Sequence, residues 1–179
     1  MKHRILVATL AWLAFALPAI AAEAGLELPL LFTDGAVLQR DHALPVWGRA
    51  APGAQVQVEF DGSRAQAVAG ADGRWSLQLR ARAAGGPYTL VVRAGAQGER
   101  SGGVLVGEVW LASGQSNMEW PVATTLHGKE DIAAAGDNAL RHFKVPKSWA
   151  AAPQAQLAGG RWLPATPQNV GEFSAAGYA

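Results

Sequence analysis

From Gly25 to about Gly103, apolar and polar residues alternate in short runs. Val56, Val58 and Phe60 are separated by Gln57 and Glu59, and Trp75, Leu77 and Leu79 by Ser76 and Gln78. Tyr88, Leu90 and Val92 repeat the pattern, and Leu44, Val46 and Trp47 precede it. A period of two sends successive side chains to opposite faces, so each run predicts a strand with one wet face. Pro52-Gly53, Asp61-Gly62, Asp72-Gly73, Gly85-Gly86-Pro87 and Gly95-Ala96-Gln97-Gly98 separate the runs with turn-forming residues at intervals of about ten. No helical period interrupts them, and residues 25–103 are expected to form an antiparallel β-sandwich domain.

At Gly103 the pattern changes. Val104 to Ala112 is apolar on both alternating faces apart from Glu108. A strand buried on both sides belongs in a parallel sheet covered by helices, and such sheets place ligands beyond their carboxyl ends. Arg141 to Val145 predicts a second strand, Ser148 to Leu163 a connection, and Thr166-Pro167 an N-cap with the first helical residue. A helix is expected near Phe173. It reaches Ala179 without a C-terminal glycine, proline or basic last turn after it, so residues 104–179 are expected to be an incomplete domain that stops inside an element. One or two strands of such a sheet leave apolar faces and edges uncovered, so residues beyond about Gly103 are expected to be less ordered than the sandwich.

The amino terminus sets the compartment. Lys2 and Arg4 precede an apolar run from Ile5 to Ala22, with small residues at Ala19, Ala21, Ala22 and Ala24. This is the layout of a secretory signal peptide, residues 1–22, and it predicts a periplasmic or secreted protein. The chain has no cysteine, which excludes a lipobox anchor and leaves stability to a packed core without disulfides. Loss of Lys2 and Arg4 turns the formal charge from +1 to −1. Near-neutrality gives no electrostatic reason to expect nucleic acid or an acidic membrane surface as partner.

The candidate chemistry stands just after the apolar run, in Ser113-Gly114-Gln115-Ser116-Asn117-Met118. A serine hydroxyl becomes a useful nucleophile only with a base in hydrogen-bond reach and backbone donors facing the oxyanion. A bend at Gly114 followed by a helix start would supply the donors. The arrangement is a relative of the nucleophile elbow, although Met118 stands where the G-x-S-x-G form has its second glycine. Gln115, Asn117 and Trp120 flank the serine, with Asn117 expected to cap the helix start and Trp120 to wall the substrate site. Taken alone, Gly-Gln-Ser-Asn is weak evidence, since an ordinary turn explains such residues more often than not.

The wider segment Gly107 to Glu119 closely resembles the nucleophile block of the sialate O-acetylesterase family, a branch of the SGNH hydrolases. Val37-Leu38-Gln39-Arg40, Pro45-Val46-Trp47-Gly48, Gly73-Arg74-Trp75 and Gly86-Pro87-Tyr88 fall before the block, and Phe173 to Tyr178 after it, in the order expected of that family. The resemblance implies a mixed architecture. An N-terminal antiparallel β-sandwich would lead into the first β-loop-α portion of an α/β flavodoxin-like SGNH hydrolase domain. It also implies a bacterial esterase that removes acetyl groups from sugar hydroxyls through an acyl-enzyme, with no metal and no cofactor. Ser116 matches the family's nucleophile, and its own backbone N–H would be one oxyanion donor. The second oxyanion glycine, the oxyanion asparagine and the Asp-x-x-His pair of that family lie in later blocks and have no counterpart before Ala179. His42, His127 and His142 have Gln39, Thr124 and Ala139 three residues before them rather than aspartate. These residues alone are therefore expected to be inactive.

Two other readings remain open. Exposed tryptophans stack on sugar faces, so a non-catalytic secreted carbohydrate-binding sandwich is one; for Trp47 and Trp75 a core role is the expected one. The other is an acetylesterase of the same family that acts on plant polysaccharides. Oligomeric state is not legible.

Overall fold

The computed structural model describes residues 25–178, and the segment expected to be a signal peptide, residues 1–22, lies outside them. The chain is sheet-rich. Strands run Val37–Gln39 (β1), Leu44–Arg49 (β2), Gln55–Phe60 (β3), Ser63–Val68 (β4), Arg74–Leu79 (β5), Gly85–Ala94 (β6) and Gln97–Gly107 (β7). A helix spans Gly128–Ala134 (α1), strands Asp137–Phe143 (β8) and Trp162–Ala165 (β9) follow, and a short helix covers Ala175–Tyr178 (α2).

The first seven strands form the expected sandwich, with one departure from it. One sheet has the order β1-β7-β6-β3-β4 and faces a pair formed by β2 and β5. All pairings are antiparallel except β1 with β7, which is parallel, so the sandwich is mixed. The alternation read from the sequence is the alternation of burial. Val56, Val58 and Phe60 point inward from β3, Leu44 and Val46 from β2, and Leu90 and Val92 from β6, all at most 1% exposed. They close on Trp75 and Leu79 from β5 as a single core. Asp61 and Gly62, with φ of 43° and 74°, join β3 to β4 in a two-residue turn of the kind that matches strand twist.

The run from Val104 to Ala112 does not form an interior strand of a parallel sheet. Its first half is the end of β7, where Val104 and Val106 are buried in the sandwich core. Its second half has no regular structure, and Trp110 and Leu111 are 86% and 92% exposed. An apolar run can thus be a one-faced strand followed by an exposed apolar loop; hydropathy alone does not separate the two. Strand β7 runs through Gly103.

Beyond β7 a second, smaller cluster gathers Val122, Ala135, Ala165, Val170 and Phe173. The β8–β9 pair leans back on the sandwich. Trp162 packs against the first core and donates its indole N–H to Leu31 O at 3.0 Å. Arg141 donates from one guanidinium nitrogen to Gly35 O at 2.6 Å and Gly103 O at 2.7 Å. The strand expected at Arg141 starts earlier, at Asp137, and the helix expected near Phe173 starts at Ala175.

Candidate active site

Ser116 opens a single 3-10 turn, Ser116–Glu119, and its side chain is exposed. The first backbone bond of the turn runs from Met118 N to Gln115 O at 2.9 Å. The N–H groups of Ser116 and Asn117 precede that bond and so have no partner within the turn. The helix expected after the serine is therefore one tight turn. Gln115 stands at its N-cap position and makes no side-chain capping bond, so the capping role expected of Asn117 is not found. Gln115 and Asn117 are both exposed. Trp120 is 54% exposed and donates its indole N–H to Thr124 O at 3.4 Å.

Met118, in place of the second glycine of an elbow, folds back over Gly114. A Cβ added to Gly114 would lie 3.3 Å from Met118 Cβ. Its φ is not in the left-handed region, so close approach is what favours glycine here.

Two segments distant in sequence hold this turn. On its far side Ala175 N donates to Trp120 O at 2.8 Å, and Val122 N to Phe173 O at 3.0 Å. Ser174, only 9% exposed, donates its hydroxyl to Met118 Sδ at 3.5 Å. On its near side Gln39 binds Val109 N and the Glu108 carboxylate. Neither Gln39 nor Ser174 was singled out as a functional residue from the sequence. The available signal was their place in the Val-Leu-Gln-Arg and Phe-Ser-Ala-Ala-Gly-Tyr landmarks.

Among the described residues no histidine side chain hydrogen-bonds the Ser116 hydroxyl. His42 and His127 are exposed, the latter at the N-cap position of α1. His142 is half-buried, with its ring 4.6 Å from that of Phe173. Burial, and then the charge of Lys144, pull its pKa below the ordinary 6.5. Glu119 pairs with Lys147 at 2.7 Å in solvent. Among the described residues no cluster of His, Asp and Glu is placed to hold a metal ion.

The tryptophans divide. Trp75 is 4% exposed and belongs to the core, as expected. Trp47 lies on the outer face of β2, 40% exposed, with Phe32 edge-on at 4.7 Å; the core role expected for it does not hold. The strand alternates, and Val46 takes the inward position.

No protein-family model matches the chain. It is 29% identical to a sialate O-acetylesterase of Rattus norvegicus, over 75% of this chain and 28% of that protein. It is 26% identical to a sialate O-acetylesterase of Pongo abelii, over 84% of this chain and 32% of that protein. A crystal structure of a novel carbohydrate acetylesterase from Xanthomonas citri superposes with a TM-score of 0.84 at 55% identity. The match covers 86% of this chain and 36% of that one. The chain is thus similar to part of two sialate O-acetylesterases and of one carbohydrate acetylesterase. It spans about a third of the length of these sialate O-acetylesterase relatives and of the solved neighbour. The sandwich carries the Ser116 loop beyond β7, its longest strand.

Proposed function

We propose that this chain supplies the nucleophile-bearing part of a serine esterase that removes O-acetyl groups from sugars, sialate esters among them. The observation that carries the reading is Ser116 itself. It is an exposed hydroxyl at the head of a tight turn whose free N–H groups precede the first turn bond. The turn sits in a chain similar to named acetylesterases. In the proposed reaction Ser116 Oγ attacks the acetyl carbonyl while its proton passes to a base, and the Ser116 N–H donates to the oxyanion. The sugar hydroxyl departs with a proton, and water then releases acetate from the acyl-serine. Trp120 is the side chain proposed to wall the sugar.

The base and the remaining oxyanion donors are proposed to come from later blocks of a longer SGNH-type domain, of which residues 104–179 are the opening part. The 179 residues by themselves then hydrolyse no ester usefully, because removing a base or nucleophile from a serine hydrolase lowers turnover by about 10⁶-fold. The signal-like amino terminus supports a periplasmic or secreted setting.

The test is turnover of 4-methylumbelliferyl acetate and of O-acetylated sialic acid by a protein that carries these residues together with later blocks containing Asp-x-x-His. Activity abolished by Ser116→Ala is the expected result. Activity that survives this substitution would sink the reading. A second reading, a sugar-binding sandwich without catalysis, is favoured by the outward Trp47 on the sandwich itself. Calorimetric titration with acetylated and deacetylated sugars separates the two, since binding that is lost in Trp47→Ala and kept in Ser116→Ala would support the binding module.

A further inference from the structure

The parallel pairing of β1 with β7 ends at Gln39 opposite Gly107, and Arg40 N closes it on Gly107 O at 2.9 Å. Immediately beyond, the Gln39 carboxamide reaches two consecutive residues of the departing chain. Its Oε1 accepts from Val109 N at 2.8 Å, and its Nε2 donates to Glu108 Oε2 at 3.1 Å. Arg40 Nε lies 3.7 Å from the other oxygen of Glu108 and 2.6 Å from Asp41 Oδ2. We propose that Gln39 is a positioning residue for Ser116, its carboxamide fixing the direction in which the chain leaves β7 towards the nucleophile turn. This rests on the reading of Ser116 given above.

The argument is one of group chemistry. Serving an N–H and a carboxylate at once requires an acceptor and a donor on one planar group, which an amide has. Glutamate keeps the acceptor and loses the donor, whereas leucine loses both. After Val109 the chain is exposed and irregular through Gly114. Its next fixed point is the turn that Ser174 holds through Met118. The loop carrying the nucleophile is thus tied at both ends, and Gln39 is the tie at the end where it departs the sandwich. Attack geometry tolerates little, since a displacement of about 1 Å can cost about 10²-fold in rate.

The variants Gln39→Leu, Gln39→Glu and Gln39→Glu with Glu108→Gln test this. The first readout is hydrogen exchange at the Val109 amide of the 179-residue chain, compared with the wild type at the same pH. Gln39→Leu is expected to raise exchange about tenfold at any pH, the effect of about one lost hydrogen bond. Gln39→Glu sets two carboxylates face to face beside Arg40 and Asp41. It is expected to raise exchange at about pH 8 and to recover near pH 4, where the pair shares a proton. The double variant restores one donor and one acceptor and is expected to match the wild type throughout. Unchanged exchange in Gln39→Leu, or no recovery in the double variant, overturns the proposal. The second readout is kcat in a protein extended by the later blocks. There the same ranking is expected in kcat with KM moving less, and equal kcat among all variants overturns it as well. If Ser116→Ala leaves turnover intact, the reading of Ser116 fails while the exchange result still stands or falls by itself.

Discussion

The Ser174 hydroxyl donates to Met118 Sδ at 3.5 Å and accepts from Gly177 N at 3.3 Å. One buried oxygen therefore joins the first turn of α2 to the turn that carries Ser116. Replacing it with alanine is expected to cost about 1 kcal/mol, the usual worth of such bonds, and to loosen the Ser116–Trp120 backbone more than the sandwich. Met118→Leu conserves volume and is expected to cost less than about 1.5 kcal/mol. Denaturant melts and amide exchange of the two variants check this; equal exchange throughout Ser174→Ala would refute it.

Limited proteolysis should cut early in the exposed stretch from Val109 to Leu111 and at the fully exposed Trp149. Trp110 and Leu111 offer chymotrypsin fully presented side chains, whereas Val104 and Val106 are sealed in the core. Mass spectrometry of early fragments is expected to show β7 intact. Early cleavage within Val104–Gly107 would mean that this strand is not part of the sandwich.

Gly48 is the least replaceable position of the Pro-Val-Trp-Gly landmark. A Cβ there would lie 2.3 Å from Glu27 O and 2.9 Å from the Trp75 ring, and both neighbours are held in place by the sheet. Gly48→Ala is therefore expected to destabilise by about 3 kcal/mol, the upper range for overpacking. Thermal melts measure this, and a neutral outcome would show that the Glu27–Arg49 pairing shifts freely. Exposed Gly53→Ala is a poor control because its φ of +75° is itself strained for alanine.

His142 should make stability depend on pH. Burial lowers its pKa below 6.5 in the folded chain, so the unfolded chain takes up a proton first as pH falls. Stability contributed by the neutral ring is full above about pH 7.5 and is lost as pH drops through 6.5 towards the lower folded value. His142→Gln is expected to flatten that part of the profile. Parallel melts between about pH 5 and 8 decide it, and an unchanged slope would show that other groups carry the dependence.

The strands of the sandwich were readable because half-buried strands write their burial directly into a period of two. Val56, Val58 and Phe60 are the plainest case. The stretch after Gly103 misled because Val104 and Val106 face a core while Val109, Trp110 and Leu111 face solvent, and composition treats them alike. Ser116 stands out in the sequence through its local block. The ties that hold its turn were not, because they join residues 56 and 70 positions apart through a hydroxyl and a carboxamide. Neither group announces a distant partner. Arg141 belongs with them, since its two acceptors are backbone carbonyls that any residue could have offered.

That arginine has a mechanical consequence. Burial pulls its pKa below the ordinary guanidinium value, and because a guanidinium is always charged in proteins its donors stay available at every physiological pH. A swing of the small cluster away from the sandwich would strip Gly35 and Gly103 of this partner and leave a cation seeking water. The joint between the two hydrophobic clusters is in effect riveted, and the nucleophile proposed at Ser116, tied to both sides of it, would share that restraint.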